Sequence, residues 1–169
     1  PCGTGSDWEA GTCTLSNDFT NETNGVDDDI DWRTDAGGTP STGTGPSMDY
    51  NPGTTIGKYL YLEASTCYSK LATMTSPCID LSGVTQAQLD FAYYMEGTDM
   101  GELHVDVFSN GTWTNDVMTP LVGNKGTSWL ISTVSLNAYA GNVINLRYRG
   151  ITGSGFTSDI AIDDINVTG

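Results

Sequence analysis

Basic residues are scarce in this chain: 6 Lys and Arg stand against 21 Asp and Glu in 169 residues, giving a formal net charge of -15. Such a surface repels phosphate backbones, and Arg147 with Arg149 is a local pair rather than a basic stripe, so nucleic acid is excluded as a partner. Histidine is scarcer still, with His104 alone. One histidine, no H-E-x-x-H, no G-x-S-x-G and no Walker loop leave metalloprotease, triad-hydrolase and nucleotide chemistry without an anchor. No apolar run approaches the ~18 residues of a transmembrane helix, so no membrane insertion is expected. The opening Pro1-Cys2-Gly3 carries neither a start Met nor a signal h-region, and it reads as a mature fragment or an excised module. An i, i+3, i+4, i+7 apolar pattern is also missing, which leaves at most a single helical turn.

What the chain does have is short stretches with a two-residue period, separated by Gly, Thr, Ser and Asn. Tyr59 to Leu62, Leu89 to Met95, Leu103 to Phe108, Trp129 to Leu136 and Val143 to Tyr148 are rich in aromatic and β-branched residues, and we read them as strands. Many short strands with polar turns predict an all-β sandwich or closed barrel. Alternation assigns the faces. Leu89, Phe91, Tyr93 and Met95 turn inward, as do Leu103, Val105 and Val107, and Ile144, Leu146 and Tyr148. One domain is expected over residues 1–169, because the Gly37 to Pro46 cluster has structured motifs on both sides. Residues 1–23 read as an atypical N-terminal extension closed by a disulfide.

Four cysteines without C-x-x-C spacing point to disulfides and an extracellular setting. They allow three connectivities. The sequence-local one, Cys2 with Cys13 and Cys67 with Cys78, closes short loops at modest entropic cost and is the expected pairing.

The outward residues suggest a binding surface. If the strands carrying Tyr94, His104 with Phe108, and Arg147 with Arg149 share a sheet, they form an aromatic and cationic strip. Sugar rings stack on aromatic faces and guanidinium forks bind carboxylate or sulfate, so the strip would suit an acidic polysaccharide. The competing reading pairs the two arginines with Asp90, Asp106 or Glu96 across the sheet. Trp113 follows an Asn110-Gly111 turn, which places its ring near a hairpin tip as a further ligand contact or a satellite-cluster residue. Glu96 and Glu102 flank a Gly-rich turn, where a structural role outweighs a glycosidase one.

From about Asn24 onward the order of motifs resembles the MAM family of extracellular domains. The landmarks are Asp29-Ile30-Asp31-Trp32, Thr44-Gly45-Pro46-Ser47 with Asp49, Gly57-Lys58-Tyr59-Leu60 and Ser76-Pro77. They continue with Phe91 to Gly97, Met100 to Leu103, Trp129, and the closing Asp159 to Ile165. The family's Cys-Asp-Phe-Glu opening is missing, and Tyr50-Asn51 stands where His-Thr is common. The Gly- and Thr-rich texture is similar to bacterial members attached to secreted enzymes.

The resemblance implies a jelly-roll-like, two-sheet antiparallel β-sandwich without catalytic activity. It implies a secreted binding module of a larger protein, joined to catalytic or adhesive domains. Its partner would be a polysaccharide or, in the alternative, a protein met in adhesion or oligomerisation. It also implies a structural calcium ion. The run Asp27, Asp28, Asp29, Asp31 fails as an EF-hand loop, because Trp32 holds the glycine position and Gly38 the terminal glutamate position. The family pattern instead puts Asp31, Asp49 and Asp163 in one shell, joined by Asp28, Asp29 or Asp164. Trp32 and Trp129 fall inside landmarks and are expected in the core.

Overall fold

A computed structural model of the chain describes Leu15 and residues 18–169; Cys2 and Cys13 lie outside the described residues, with most of the expected N-terminal extension. The strands, in chain order, are β1 (Thr20–Asn21), β2 (Arg33–Ala36), β3 (Lys58–Leu62), β4 (Leu71–Thr75), β5 (Ile79–Asp80) and β6 (Gln88–Met95). There follow β7 (Glu102–Ser109), β8 (Thr112–Thr114), β9 (Leu121–Val122), β10 (Leu130–Ser135), β11 (Val143–Ile151) and β12 (Ile160–Thr168). Among the described residues the helical content is one 3-10 turn, Asn137–Tyr139.

The strands form two sheets. The first runs β1-β4-β11-β7-β8, with β5 also on β11 and β9 on β7, and the second runs β10-β6-β12-β3-β2. Every one of these pairings is antiparallel. Alternation is the reason the sheets stack: each strand offers one apolar face, and two such faces exclude water only against each other. Leu89, Phe91, Tyr93 and Met95 of β6 meet Leu103, Val105 and Val107 of β7 and Ile144, Leu146 and Tyr148 of β11 in one core. The Phe91 and Tyr148 rings touch edge-on at 5.4 Å across it. Trp32, expected in the core, is fully buried there, and its indole N–H donates to the Ala72 carbonyl of β4 at 3.2 Å.

A second, smaller cluster forms on the outside of the second sheet, where Tyr59, Tyr61, Tyr94 and Ala161 collect with Trp129. The connection between β2 and β3 lies over it: Tyr59 donates its hydroxyl to the Gly37 carbonyl and the Trp129 indole donates to the Met48 carbonyl. The outer face of the first sheet carries no such layer among the described residues.

The expected Cys67 to Cys78 bridge is corrected. Cys78 is an exposed free thiol beside the Asn145 side chain, while Cys67 is buried and is not its partner. Strand β4 lies between the two, and five extended residues separate its ends by about 15 Å, against a Cα limit of about 7 Å for a disulfide.

The chain crosses from the second sheet to the first through residues 96–101, which pack tightly on the β11 to β12 connection. A Cβ on Gly97 would lie 1.8 Å from the Thr157 carbonyl oxygen, and one on Gly153 would lie 1.4 Å from that of Asp99. Both contacts are backbone on backbone, so neither side can yield by a rotamer change. Gly97→Ala is expected to cost about 3 kcal/mol through forced displacement. In thermal denaturation that is a Tm roughly 10 °C lower, whereas Gly83→Ala, whose Cβ meets open space, leaves Tm within about 2 °C.

Candidate functional site

Three neighbouring strands build the uncovered face of the first sheet. Register sets Arg147 of β11 opposite Asp106 of β7 and Thr75 of β4, and Arg149 opposite His104 and Thr73. Asp106 is fully buried beneath the arginines. Its Oδ2 accepts the Nε–H groups of both Arg147 and Arg149 at 2.7 Å, and its Oδ1 accepts Arg149 Nη2 at 3.0 Å and the Asp116 N–H at 2.9 Å. Burial pushes this carboxyl up, but the hydrogen bonds from Arg149, the Asp116 N–H and Arg147 outweigh it and hold Asp106 below the usual carboxylate range. Of the two readings of the arginines, cross-sheet pairing is the one the fold builds, with Asp106 as partner. Asp90 instead accepts from Thr133 and Gln88, and Glu96 from Tyr94.

The rest of the face is organised around this pair. Asn110 and Gly111, at φ 51° and 81°, make the tight hairpin turn that returns Trp113 beside Phe108. The Arg147 guanidinium stacks 4.0 Å from the Trp113 ring centroid and donates Nη2 to Asn115 at 2.9 Å. His104 is clamped between carboxylates, Nδ1 at 2.7 Å from Asp116 and Nε2 at 3.1 Å from Glu102. Trp113, Asn115, Arg147, Arg149, Leu71 and Thr73, with Glu22 and Asp27 opposite, enclose a groove of about 360 Å³.

Tyr94 does not belong to this face, which corrects the expected strip. Its strand β6 pairs with β10 and β12 in the second sheet, and its ring is buried 5.6 Å from Trp129 with the hydroxyl on Glu96 at 2.7 Å. Alternation states which side of a strand a residue occupies; strand pairing, across the 96–101 crossover, states which sheet. The sequence reading missed Glu22 and Asn115, whose only signal is polarity, and it weighed Asp27 only within the acidic run. It weighed Asp106 as an arginine partner without anticipating that its carboxylate holds both.

The six aspartates expected around calcium lie in two places. Asp28 is buried with Oδ2 accepting the Thr73 N–H, and its burial pushes it up to about 6, helped by Asp31 and Glu22 and opposed by that hydrogen bond. Asp29 accepts the Leu71 N–H and pairs with Lys70 at 3.3 Å. Asp49 and Asp163 sit together elsewhere: Asp49 accepts the Thr54 N–H, while Asp163 accepts the N–H groups of Tyr50 and Asp164 at 2.8 Å. Asp164, at a β-bulge with φ 51°, receives Asn51 at 3.5 Å. The β2–β3 ladder begins at Arg33, past Asp31, and Ile30 beside Asp31 bridges Ala72 of β4 in the first sheet, whereas Asp163 lies on β12 in the second. Among the described residues no group of three or more His, Cys, Asp or Glu is arranged to hold a metal ion.

The buried Asp106 is the testable centre of the face. Because its carboxyl is held below the ordinary value near 3.9, its contribution is present above that pH and lost as pH falls through the folded-state value. Asp106→Asn is expected to cost about 3 kcal/mol at pH 7, by leaving two arginines without their shared anion. In melts recorded from pH 7 to pH 3, the gap between wild type and variant should narrow below about pH 4.

Comparison with known proteins adds the lineage. The family model MAM domain, meprin/A5/mu, matches residues 5–169. MAM domain-containing glycosylphosphatidylinositol anchor protein 2 of Mus musculus is 32% identical over 156 residues, covering 83% of this chain and 16% of that protein. Homo sapiens MAM domain-containing protein 2 is 31% identical over 157 residues, covering 92% of this chain and 22% of that protein. The chain thus spans under a quarter of either relative's length. Among solved structures, the K2 cleaved adhesin domain of Lys-gingipain superposes with a TM-score of 0.58 at 16% identity, covering 95% of this chain and 93% of that one. The K1 cleaved adhesin domain of Lys-gingipain from Porphyromonas gingivalis W83 gives 0.58 at 15% identity, covering 89% and 90%. These two likenesses establish a shared fold alone. The family model, carried over nearly the whole length, shows that this chain belongs to the MAM domain family.

Proposed function

We propose that the chain is a non-catalytic, extracellular recognition module whose ligand is a neutral polysaccharide held in the groove over the first sheet. The carrying observation is the groove itself, walled by the Trp113 indole and lined by the hydrogen-bonding side chains of Asn115, Arg147, Thr73 and Glu22. Sugar rings offer C–H faces to an aromatic wall and hydroxyls to such side chains. The electrostatics argue against the acidic polysaccharide that the sequence suggested. Arg147 and Arg149 are committed to Asp106 and Asp116, while Glu22 and Asp27 line the opposite side. A uronic or sulfated chain would meet neutralised guanidiniums and unneutralised carboxylates. The short span relative to longer family members supports a module acting beside other domains.

A second reading has its own observation. Strand β10 is an edge of the second sheet and exposes Leu130 at 38% and Ile131 at 50%, a surface that suits pairing with a strand of a protein partner.

Affinity electrophoresis through neutral, uronic and sulfated polysaccharides distinguishes them. Retardation is expected in at least one neutral polymer. Trp113→Ala should weaken it roughly tenfold, about 1.4 kcal/mol, with the fold intact by circular dichroism. Unchanged retardation in Trp113→Ala, or retention by acidic polymers alone, would overturn the groove assignment. No retention on any polymer, with a concentration-dependent dimer, would transfer the function to β10.

A further inference from the structure

The groove over the first sheet is polarised in its hydrogen bonding. Arg147 of β11 stands directly opposite Thr75 of β4, and two residues along the groove Arg149 stands opposite Thr73. Direct partners hold their Cβ atoms about 5 Å apart, so the groups over β11 closely face those over β4. Over β11 lie the two guanidiniums, with the Trp113 ring stacked on that of Arg147. Their Nε and Nη2 groups are engaged by Asp106, Asp116 and Asn115, which leaves the Nη1 groups to donate. Asn115 gives its carbonyl to Arg147 and keeps its amide hydrogens. This side of the groove donates.

Over β4 the chemistry is reversed. Glu22 follows β1, and its Oε1 accepts the Thr75 hydroxyl at 3.1 Å, which holds the carboxylate at the level of Arg147. Asp28 accepts the Thr73 N–H at 2.8 Å, which sets its neighbour Asp27 beside the level of Arg149. Neither Glu22 nor Asp27 has an ion-pair partner among the described residues. A carboxylate accepts hydrogen bonds and carries no proton to give. This side of the groove therefore only accepts.

We infer that Glu22 and Asp27 set which neutral polysaccharides the groove takes: those with free ring hydroxyls along one edge, and not those carrying O-acetyl or O-alkyl groups there. The inference rests on the groove being the polysaccharide site. A sugar hydroxyl both donates and accepts, so one ring satisfies both sides at once, taking N–H from the arginines and giving O–H to the carboxylates. Esterification removes the hydroxyl proton and turns a carbonyl oxygen toward carboxylate lone pairs, so a bond is replaced by repulsion. A site built to bond a hydroxyl rejects the analogue that lacks it, by as much as about 10⁴-fold when enclosed. Asp27 is exposed and water competes there, so about tenfold is expected in this groove.

The test uses the 169-residue chain at about pH 7.5, in affinity electrophoresis through glucomannan, galactomannan and mixed-linkage β-glucan. Each polymer is used free of acetyl and again after chemical O-acetylation. Every polymer that retards the chain should do so about tenfold more strongly in its acetyl-free form. Glu22→Gln and Asp27→Asn keep each side chain's shape but replace one carboxylate oxygen by a donor amide. Each should weaken binding to the acetyl-free polymer about fivefold and bring the two forms within about twofold, with the fold checked by circular dichroism. Asp90→Asn, which removes a carboxylate from β6 in the second sheet, should change neither value. Equal retardation by both forms, or discrimination that survives Glu22→Gln combined with Asp27→Asn, would overturn the inference and leave the groove reading to its own Trp113→Ala test. No retardation by any neutral polymer would overturn the groove reading and this inference with it. Binding confined to chitosan and lost at high salt would show that the two acids attract cations instead of reading hydroxyls.

Discussion

The packing of two inner faces over one core is the constraint from which the rest follows. Trp32 shows how closely it is drawn: the indole lies beneath β11, where a Cβ on Gly150 would come within 2.9 Å of its ring, and donates its N–H to β4. The main chain at Trp32 is gripped in turn, its N–H and carbonyl both bonded to the Asn21 side chain. A bulky polar-tipped ring is stable there because every polar group it brings inside has a partner. Once the inner faces are matched, each outer residue's neighbours are settled by strand order.

The two outer faces then diverge. That of the second sheet is roofed by the β2–β3 connection over Tyr59, Tyr61 and Tyr94, so its aromatics serve packing. That of the first sheet stays open, and there polar side chains had to solve a charge problem. Asp106 is buried and ionised because two guanidiniums and a main-chain N–H surround it, and those guanidiniums are thereby fixed as a rigid floor. A surface preorganised in this way loses little side-chain entropy on meeting a ligand, which favours recognition by shape and hydroxyl geometry over charge.

Electrostatics elsewhere follow the same logic with fewer resources. With so few basic residues, the chain cannot give each acid a cation, and main-chain N–H groups do much of that work at Asp28, Asp29, Asp49 and Asp163. Glu63 and Asp159, like Asp28, Asp35 and Asp49, each keep one buried carboxylate oxygen without a hydrogen-bond partner. The pair sits at a ladder end, where the β2–β3 connection and the start of β12 bring hydroxyls instead of N–H groups.

Leu89, Phe91, Tyr93 and Met95 show what was legible in the sequence: a two-residue period forces alternate side chains to opposite faces, and the core side of β6, β7 and β11 follows from that alternation. The Asn110-Gly111 turn and the family landmarks were legible for similar local reasons. Tyr94 shows the limit, since its outward direction was readable but its sheet was not. Cys67 and Cys78 failed likewise, because closeness in sequence is undone by the strand between them. Asp31 and Asp163 were parted by strand pairing too, since the chain beside Asp31 bridges β4 while Asp163 lies on β12. The sequence by itself therefore determined the fold class, the inner faces and the acidic, cation-poor surface, all of which depend on neighbours within a strand. Tertiary structure alone decided that Asp106 would hold both arginines and that Glu63 would face Asp159. Those encounters join residues 41 to 96 positions apart, and only the pairing of distant strands brings them within bonding range.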